Sequence, residues 1–210
     1  DERDRLPTCL AALSAAAARV SVPVTVVVVL DDCTDDSRSV IQAPVRTLSI
    51  AASNVGAARA AGFARFAGRT GRETWFATTD ADSVVPTSWL ANQVGHHLNG
   101  AAAVVGTVRV QWHHHSASTR LAYEQRYDCA EGGVPHGHVH GANLGVRADV
   151  YWRLGGFRPL QQGEDVDLVR RLERAGSRIA WDRGNAVLTS DRTDCRATGG
   201  FGDYVKDLAG

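Results

Sequence analysis

The apolar residues of this chain fall into short strand-like runs that alternate with helical patterns. Residues 24–30 form an almost unbroken β-branched run, which is typical of a parallel strand covered on both faces. Leucines at helical spacing among alanines predict an amphipathic helix at 6–19, which Pro23 stops. Asp31 and Asp32 then open a turn that is rich in helix-capping residues.

The same patterns divide the rest of the chain. They predict strands at 45–50, 73–79 and 102–110, a short strand at the end of a Gly-rich loop at 136–147, final strands at 179–188, and helices at 54–66, 89–98, 121–129, 150–154 and 164–175. Alternating strands and helices imply right-handed βαβ units in a three-layer α/β/α fold with a mostly parallel sheet. We find no linker or internal repeat, so we expect one domain over 1–210, with ligands beyond the carboxyl ends of the strands.

Composition narrows the classes of function. The 210 residues are 44% apolar and 22% charged, which is ordinary for a globular protein. Lys plus Arg equals Asp plus Glu at 23 each, which removes the broad positive field that nucleic-acid binding needs. The apolar run at 24–30 is far shorter than the roughly 20 residues that span a bilayer, so we expect no transmembrane segment. Peripheral membrane association and the oligomeric state stay open.

The cysteines indicate a compartment. Cys9, Cys33, Cys129 and Cys195 are scattered without C-x-x-C spacing, in a chain too large to need disulfides. We therefore expect ordinary thiols and a cytoplasmic location.

Two carboxylates that follow the 73–79 strand are the strongest chemical signal. Side chains alternate faces along an extended segment, so Asp80 and Asp82 project the same way and can share one divalent cation. Such a cation can carry a diphosphate. A D-x-D triplet alone is weak evidence, because most acidic pairs on loops are solvated turns.

Glu164 and Asp165 open the predicted helix at 164–175. Carboxylates in a first helical turn are usually capping groups, stabilised by the helix dipole. The functional alternative is a general base that accepts a proton from an attacking hydroxyl. One of the two would then be the base, and the other would orient it.

Further candidates lie on two segments rich in small residues. Arg59 stands one helical turn after a tight entry loop at 54–56, where its guanidinium can reach phosphate or base edges. The alternative is an exposed Arg on an Ala-rich helix. The loop at 140–145, which contains Asn143, offers backbone amides for close approach by a ligand, although Gly loops usually only turn.

The histidines and two tryptophans carry weaker signals. The eight His match no closed zinc pattern, so we interpret them as polar loop residues, with His140 the best placed for a ligand role. Trp112 and Trp152 are candidates for stacking on a sugar ring, although a half-buried core role is more common for Trp.

Taken in order, these pieces resemble the family-2 type of GT-A glycosyltransferases over nearly the whole chain. The matching segments are 30–37, 54–62, 79–82 with the Pro86 and Trp89-Leu90 that follow, 140–147, 155–157 and 163–168. Such enzymes transfer a hexosyl group from a nucleotide diphosphate to an acceptor hydroxyl. Each motif is weak alone, but their order and spacing agree with the family.

By this resemblance, a nucleotide diphosphate sugar is the donor substrate. Asp31 or Asp32 would contact its base or ribose, and Arg59 would lie beside the nucleotide. Asp80 would hold the ribose, and Asn143 is a further candidate for donor binding.

The resemblance also implies a metal and a general base. Asp82, with Asp80 beside it, would bind Mn²⁺ or Mg²⁺, which neutralises the leaving diphosphate. Asp165 would deprotonate the acceptor hydroxyl for in-line attack with inversion, and Glu164 is the fallback base.

Three departures from the family pattern affect this assignment. Family members usually open with a strand and a turn that cradle the base, whereas this chain starts at Asp1, lacks Met and is expected to begin just after that strand. Ala60 stands where the family has Asn. No His occurs at 188–192, where some relatives supply a metal ligand, and Arg192 or Arg196 is instead a candidate for binding the diphosphate.

Other functions stay open at the level of sequence. A retaining transferase can use the same fold and a D-x-D motif. The intact Glu164-Asp165 pair argues against a nucleotide-sugar-binding protein without turnover. A nucleotidyltransferase is less consistent, because no Gly-rich loop with a Lys stands near the start. Loops at 106–135 would determine the sugar, the base and the acceptor.

Overall fold

The computed structural model describes residues 1–128, 137–160 and 162–192. Helices α1 to α6 span Leu6–Ala17, Val55–Ala64, Trp89–Leu98, Ala117–Asp128, Ala148–Arg153 and Glu164–Arg174. Strands β1 to β6 span Val27–Asp31, Arg46–Ile50, Trp75–Thr78, Ala103–Gln111, Leu144–Arg147 and Ile179–Ser190. These elements therefore form in the segments where the apolar periodicity predicts them.

The strands form two sheets that differ in strand direction. β1 and β2 pair in parallel, with Val27 opposite Arg46. The second sheet has the order β3-β5-β4-β6, in which β4 and β6 are parallel and β5 runs antiparallel to both neighbours. The expected α/β fold is confirmed, but this second sheet is mixed.

The reversed strand β5 decides where the site is built. Leu144, at its start, pairs with Thr78 at the end of β3 and with Val105 of β4. Because β5 runs antiparallel to both neighbours, it enters the sheet at the carboxyl end of β3, beside the first residues of β4. As a result, the loop before Leu144 lies beside the residues that follow β3.

Two strands differ from the sequence prediction. β1 begins at Val27, and its residues are mostly half-buried, so the prediction of a strand covered on both faces is wrong for the described residues. Helix α2 packs on this strand, where a Cβ at Gly62 would lie 3.1 Å from Val29. β6 is one strand of 12 residues where the sequence predicts several. Its pairing with β4 changes register between Gly106 and Val108, and this bulge keeps β6 continuous.

The main core joins the second sheet to helices α2, α5 and α6. Leu168 of α6 is fully buried in the same apolar cluster as Leu144 of β5. Phe63 of α2 stacks on Phe76 of β3, with ring centroids 4.6 Å apart. Close packing of this kind fixes the start of α6 and the end of β3 to one rigid body.

A buried amide connects the sheet to α3 just below the strand ends. Asn143 is 1% exposed; its Oδ1 accepts a hydrogen bond from the Trp89 indole at 2.9 Å, and its Nδ2 donates to the carbonyls of Thr107 and Asn185, both at 2.8 Å. A Cβ at Gly106 would overlap this amide. Both amide hydrogens are therefore used inside the core, which gives Asn143 a structural role where the sequence predicted donor binding.

None of the described helices combines the length and the apolar character that a bilayer span requires. Cys9 is buried, Cys33 is partly buried, and both are free thiols. Cys129 and Cys195 lie outside the described residues, and the cytoplasmic location stays a prediction.

The substitution Gly106→Ala tests the packing around Asn143. The added methyl group would displace the amide, so we expect the free energy of unfolding to fall by about 1–3 kcal/mol, the usual cost of overpacking. Gly95→Ala on α3 is the matched control, because a Cβ there meets no described atom within 4 Å and Ala favours a helix. Urea unfolding measures both variants, and equal stability would contradict the structural role of Asn143.

Candidate active site

The D-x-D turn follows β3 directly, and its two carboxylates have different surroundings. The side chain of Asp80 is 42% exposed and that of Asp82 13% exposed. The Ser83 amide donates to the Asp80 carbonyl at 3.1 Å and closes the turn. The Cys9 thiol also donates to this carbonyl, and burial together with the two carboxylates raises the pKa of Cys9 to about 12. The thiol therefore stays protonated and serves only as a packing group.

Arg59 connects this turn to the start of α6. It lies on α2, which begins after Asn54, whose side chain accepts a hydrogen bond from the Ala57 amide at 2.9 Å. One guanidinium nitrogen of Arg59 is 2.5 Å from Asp80 Oδ1, and the other pairs with Glu164. One side chain thus bridges two acidic segments that are far apart in sequence.

The guanidinium of Arg59 is enclosed and permanently charged. Its side chain is 10% exposed, and a Cβ at Gly141 would overlap it. Burial alone would lower the pKa of Arg59, but the carboxylates of Asp80, Glu164 and Asp165 outweigh that effect and raise it. The cation is therefore held by neighbouring negative charge in place of water.

The two acidic residues at the start of α6 have different partners. The Glu164 side chain is 5% exposed, and burial raises its pKa even though Arg59 opposes the shift. Asp165 is only partly buried, and its Oδ2 accepts a hydrogen bond from the Gly141 amide at 2.7 Å. Since Glu164 is buried and paired, Asp165 is the more accessible carboxylate of the two.

A second ion-pair group contains Asp82. Arg192, just after β6, has its Nε 3.4 Å from Asp82 Oδ2, and its guanidinium also pairs with Glu2. Burial, with a smaller effect from Asp80, raises the pKa of Asp82 to about 6, although Arg192 opposes the shift. The sequence did not indicate a role for Glu2, because no local pattern predicts its ion pair with Arg192, a residue far away in the chain. Arg196, the alternative candidate, lies outside the described residues.

Asp31 and Asp32 end β1 in different ways. Asp31 accepts hydrogen bonds from the backbone amides of Ala52, Ser53 and Asn54, at 2.7 to 2.9 Å, and so holds the loop that leads into α2. Asp32 is exposed and accepts a 2.5 Å hydrogen bond from the Ser53 hydroxyl. Asp32 and Ser53 have φ values of 47° and 45°, a strained conformation that recurs at functional sites. Asp32 is thus the accessible member of the pair.

His140 belongs to an aromatic stack beside the loop. Its Nε2 lies 3.0 Å from the Tyr127 hydroxyl, which accepts a hydrogen bond from the Val108 amide. The His138 ring stacks on Tyr127 with centroids 4.0 Å apart. Among the described residues, no histidine belongs to a group of three or more His, Cys, Asp or Glu side chains that could hold a metal ion. The stack therefore supports the loop that carries the Gly141 amide.

Asp191, which precedes Arg192, and the two candidate tryptophans lie in supporting positions. Asp191 is 3% exposed and accepts hydrogen bonds from the backbone amides of His113 and His114, both at 2.7 Å. Trp152 packs edge-on in the main core, and Trp112 packs against α4. These contacts favour the core interpretation of both tryptophans over sugar stacking.

Most of the predicted site residues form one connected group at the carboxyl end of β3. Asp165 is bonded to the Gly141 loop, this loop lies against Arg59, and Arg59 bridges to the turn that carries Asp80 and Asp82. Gly141 is a member that sequence reasoning noted only as a loop residue. The group brings the two carboxylates of the D-x-D turn together with a third, more accessible carboxylate at the start of α6.

Comparison with solved structures shows a shared fold. The mannosyltransferase PcManGT from Pyrobaculum calidifontis, in complex with GDP-Man and Mn²⁺, superposes with a TM-score of 0.64 at 18% identity, over 91% of this chain and 55% of that chain. TarS 1-349 of S. aureus, in complex with UDP-GlcNAc, gives a TM-score of 0.66 at 12% identity, over 99% of this chain and 62% of that chain. This chain therefore spans less than two thirds of either protein.

Sequence comparison identifies the family. No curated protein shows significant similarity to the chain. The model of the family described as glycosyl transferase family 2 matches residues 1–155, well over half of the 210 residues. The matched part holds the D-x-D turn, Arg59 and the Gly141 loop. On this match, the chain belongs to glycosyl transferase family 2.

Proposed function

We propose that this protein is a metal-dependent, inverting glycosyltransferase that moves a sugar from a nucleotide diphosphate to an acceptor hydroxyl. The observation that carries the proposal is the cluster in which Arg59 links the Asp80 turn to the start of α6. This cluster joins carboxylates suited to a cation with the accessible carboxylate of Asp165. Family membership supports the reaction class, and the complexes of PcManGT with GDP-Man and of TarS with UDP-GlcNAc support a nucleotide sugar as donor.

The donor atoms of the D-x-D turn fit a hard divalent cation. Carboxylate oxygens are ligands that Mg²⁺ and Mn²⁺ prefer. Burial and Asp80 both disfavour the ionised form of Asp82, raising its pKa to about 6, and a cation beside it would remove that penalty. Asp82 and Asp80 would therefore hold the ion. When bound, it supplies the positive charge that neutralises the leaving diphosphate.

Arg192 and Asp32 are proposed contacts of the donor. Arg192 lies 3.4 Å from Asp82, beside the position that a metal-bound diphosphate would take. Its guanidinium can bind phosphate oxygens in a bidentate manner. Asp32 is favoured over Asp31 for the base or ribose, because three backbone amides already engage the Asp31 carboxylate.

Asp165 is the proposed general base. The Gly141 amide fixes the orientation of its carboxylate, which stays accessible at the start of α6. An ionised carboxylate in this position can accept the acceptor proton as the hydroxyl oxygen attacks the anomeric carbon. A single displacement opposite the leaving diphosphate inverts that carbon. Glu164 is an unsuitable substitute, because it is 5% exposed and paired with Arg59.

A thermal-shift screen of nucleotide diphosphates and nucleotide sugars tests the donor class. A ligand at 100 times its Kd stabilises a protein by about 2.7 kcal/mol, so the correct nucleotide should raise the Tm when Mn²⁺ is present. The rise should disappear in EDTA, and nucleoside monophosphates are the control. A screen without any shift would contradict the proposal. NMR of the product then gives its anomeric configuration, and retention would replace inversion by the retaining mechanism.

Asp82→Asn should stabilise the protein in EDTA at pH 8. The pKa of Asp82 is about 6 in the folded protein against 3.8 ordinarily, so ionisation costs folding energy above pH 6 and none below pH 3.8. Removal of the carboxylate should therefore raise the free energy of unfolding by up to about 3 kcal/mol at pH 8, with little change near pH 4.

Urea unfolding between pH 4 and pH 8 measures this effect. Asp149→Asn is the matched control of opposite sign, because Arg147 lowers the pKa of Asp149 despite partial burial, and that carboxylate stabilises the fold above its ordinary pKa. Asp82→Asn should also lose the Mn²⁺ dependence of nucleotide binding in calorimetry. If Asp82→Asn were less stable than the wild type at pH 8, the ionised Asp82 carboxylate would not be destabilising the fold.

Asp165→Asn should lower kcat by about 10²-fold or more while nucleotide affinity stays nearly constant, because the amide keeps the shape but accepts no proton. Glu173→Gln is the control, since Glu173 is exposed on the same helix. Steady-state kinetics and calorimetry with the nucleotide measure the two quantities. Turnover that survives in Asp165→Asn would remove this residue as the base.

A further inference from the structure

One long segment of the chain contains no acidic residue. Asp and Glu make up 23 of the 210 residues, yet none of them occurs at 37–72. Arginine occurs six times in the same segment, as Arg38, Arg46, Arg59, Arg65, Arg69 and Arg72. Arg59 is enclosed in the site, and the other five are exposed. The neutral chain therefore has a local excess of positive charge.

Contacts around the end of α2 bring most of these arginines to one edge of the molecule. Cζ of Arg46 lies 5.9 Å from the centre of the Phe66 ring. The Arg69 amide donates to the Phe66 carbonyl at 2.8 Å, and the Trp152 indole donates to the Arg69 carbonyl at 3.3 Å. Arg153 follows Trp152 at the end of α5 and is also exposed. We call this surface the basic rim; its charged members are Arg46, Arg65, Arg69, Arg72 and Arg153.

The charge of the basic rim is largely uncompensated. Among the residues that the structure describes, none of its five arginines forms an ion pair. The carboxylate of Asp149 on α5 is already paired with Arg147, at 2.5 Å. Glu73 is exposed and follows Arg72 directly, so it offsets one charge. Five arginines and one glutamate leave an excess of four positive charges.

The basic rim and the candidate active site lie at opposite ends of β3. The rim loop at 65–72 precedes this strand, and the D-x-D turn follows it. The Thr74 carbonyl, just before β3, accepts a hydrogen bond from the Ala148 amide at 2.9 Å, which joins the rim to the start of α5. A surface bound at the rim would therefore leave the site open to solvent.

We propose that the basic rim binds this protein to an anionic phospholipid surface. A layer of phosphate headgroups attracts clustered arginines through charge alone. Two half-buried aromatic rings beside the arginines, Phe66 and Trp152, suit the boundary between headgroups and acyl chains.

Two other classes of partner fit the basic rim less well. A protein partner needs an apolar centre in its interface, whereas small residues separate the arginines of the 65–72 loop. Single-stranded nucleic acid stacks its bases on open aromatic faces, but Arg46 lies over the Phe66 ring. A lipid surface, which needs neither an apolar centre nor an open ring, is therefore the favoured partner.

Co-sedimentation with vesicles tests the proposal. Each basic residue near an anionic membrane strengthens binding about fivefold, so the triple variant with Arg65→Gln, Arg69→Gln and Arg72→Gln should partition about 100-fold more weakly. The vesicles are phosphatidylcholine with about 30% phosphatidylglycerol, in about 0.1 M salt, where the Debye length is about 10 Å. Pure phosphatidylcholine vesicles, or about 1 M salt, should abolish binding of the wild-type protein.

The matched control removes the same charge from other faces of the molecule. Arg109→Gln, Arg120→Gln and Arg170→Gln replace exposed arginines of β4, α4 and α6, and together they should change partitioning by less than about threefold.

A second triple variant separates attraction by charge from a shaped phosphate site. With Arg65→Lys, Arg69→Lys and Arg72→Lys, binding should stay within about threefold of the wild type, because headgroup attraction needs the charge and not the planar fork of Arg. An unchanged Tm shows that each variant is folded. If the triple Gln variant does not fold, Arg69→Gln with Arg72→Gln replaces it, with an expected loss of about 25-fold.

Four results would overturn the proposal. The first is wild-type protein that does not sediment with the anionic vesicles in low salt. The second is an equal loss in the control variant, which would assign binding to overall charge. The third is a loss in the Lys variant as large as in the Gln variant, which would indicate a specific phosphate site. The fourth is tighter, rim-dependent binding to an RNA oligonucleotide, which would make nucleic acid the partner. Turnover plays no part in these measurements, so their outcome is independent of the proposed function.

Discussion

Arg59 carries one positive charge into a region bordered by the carboxylates of Asp80, Glu164 and Asp165. Without that charge, these acidic groups would repel one another across segments that no covalent link holds together. With it, the end of β3, the Gly141 loop and the start of α6 share a common centre. The site therefore depends on a buried ion pair whose value lies in arrangement, since such pairs add little net stability.

The D-x-D turn shows the opposite balance. Asp82 is largely buried beside Asp80, and the cation of Arg192 only partly compensates its charge. A fold selected for stability alone would not keep a carboxylate in that position. Under the proposed function this cost has a purpose, because a divalent cation bound beside Asp82 would remove it. The Arg59 cluster would then hold the site together, and the D-x-D turn would bind the ion.

The rigidity of the cluster comes from the sheet beneath it. β5 enters between β3 and β4 at the carboxyl end of β3, so the loop before it lies beside the residues that follow β3. The buried Asn143 amide then joins that loop to β4, β6 and α3 through three hydrogen bonds. Motions of the loop are thereby tied to the core, which keeps the Gly141 amide in position for Asp165.

The sequence by itself determined the helices and strands, the D-x-D turn at a strand end, the acidic pair at a helix start and the family to which the chain belongs, because periodicity and short motifs are local properties. Only the tertiary structure decided the direction of β5, the burial of Asn143, the pairing of Arg192 with Glu2, and the difference between Glu164 and Asp165. Each of these depends on contacts between residues far apart in the chain. Local pattern does not specify which partner a side chain will contact. The sequence therefore predicts Arg59 as a candidate beside the nucleotide, or as an exposed Arg on an Ala-rich helix, and only the folded structure shows its pairing with Asp80 and Glu164.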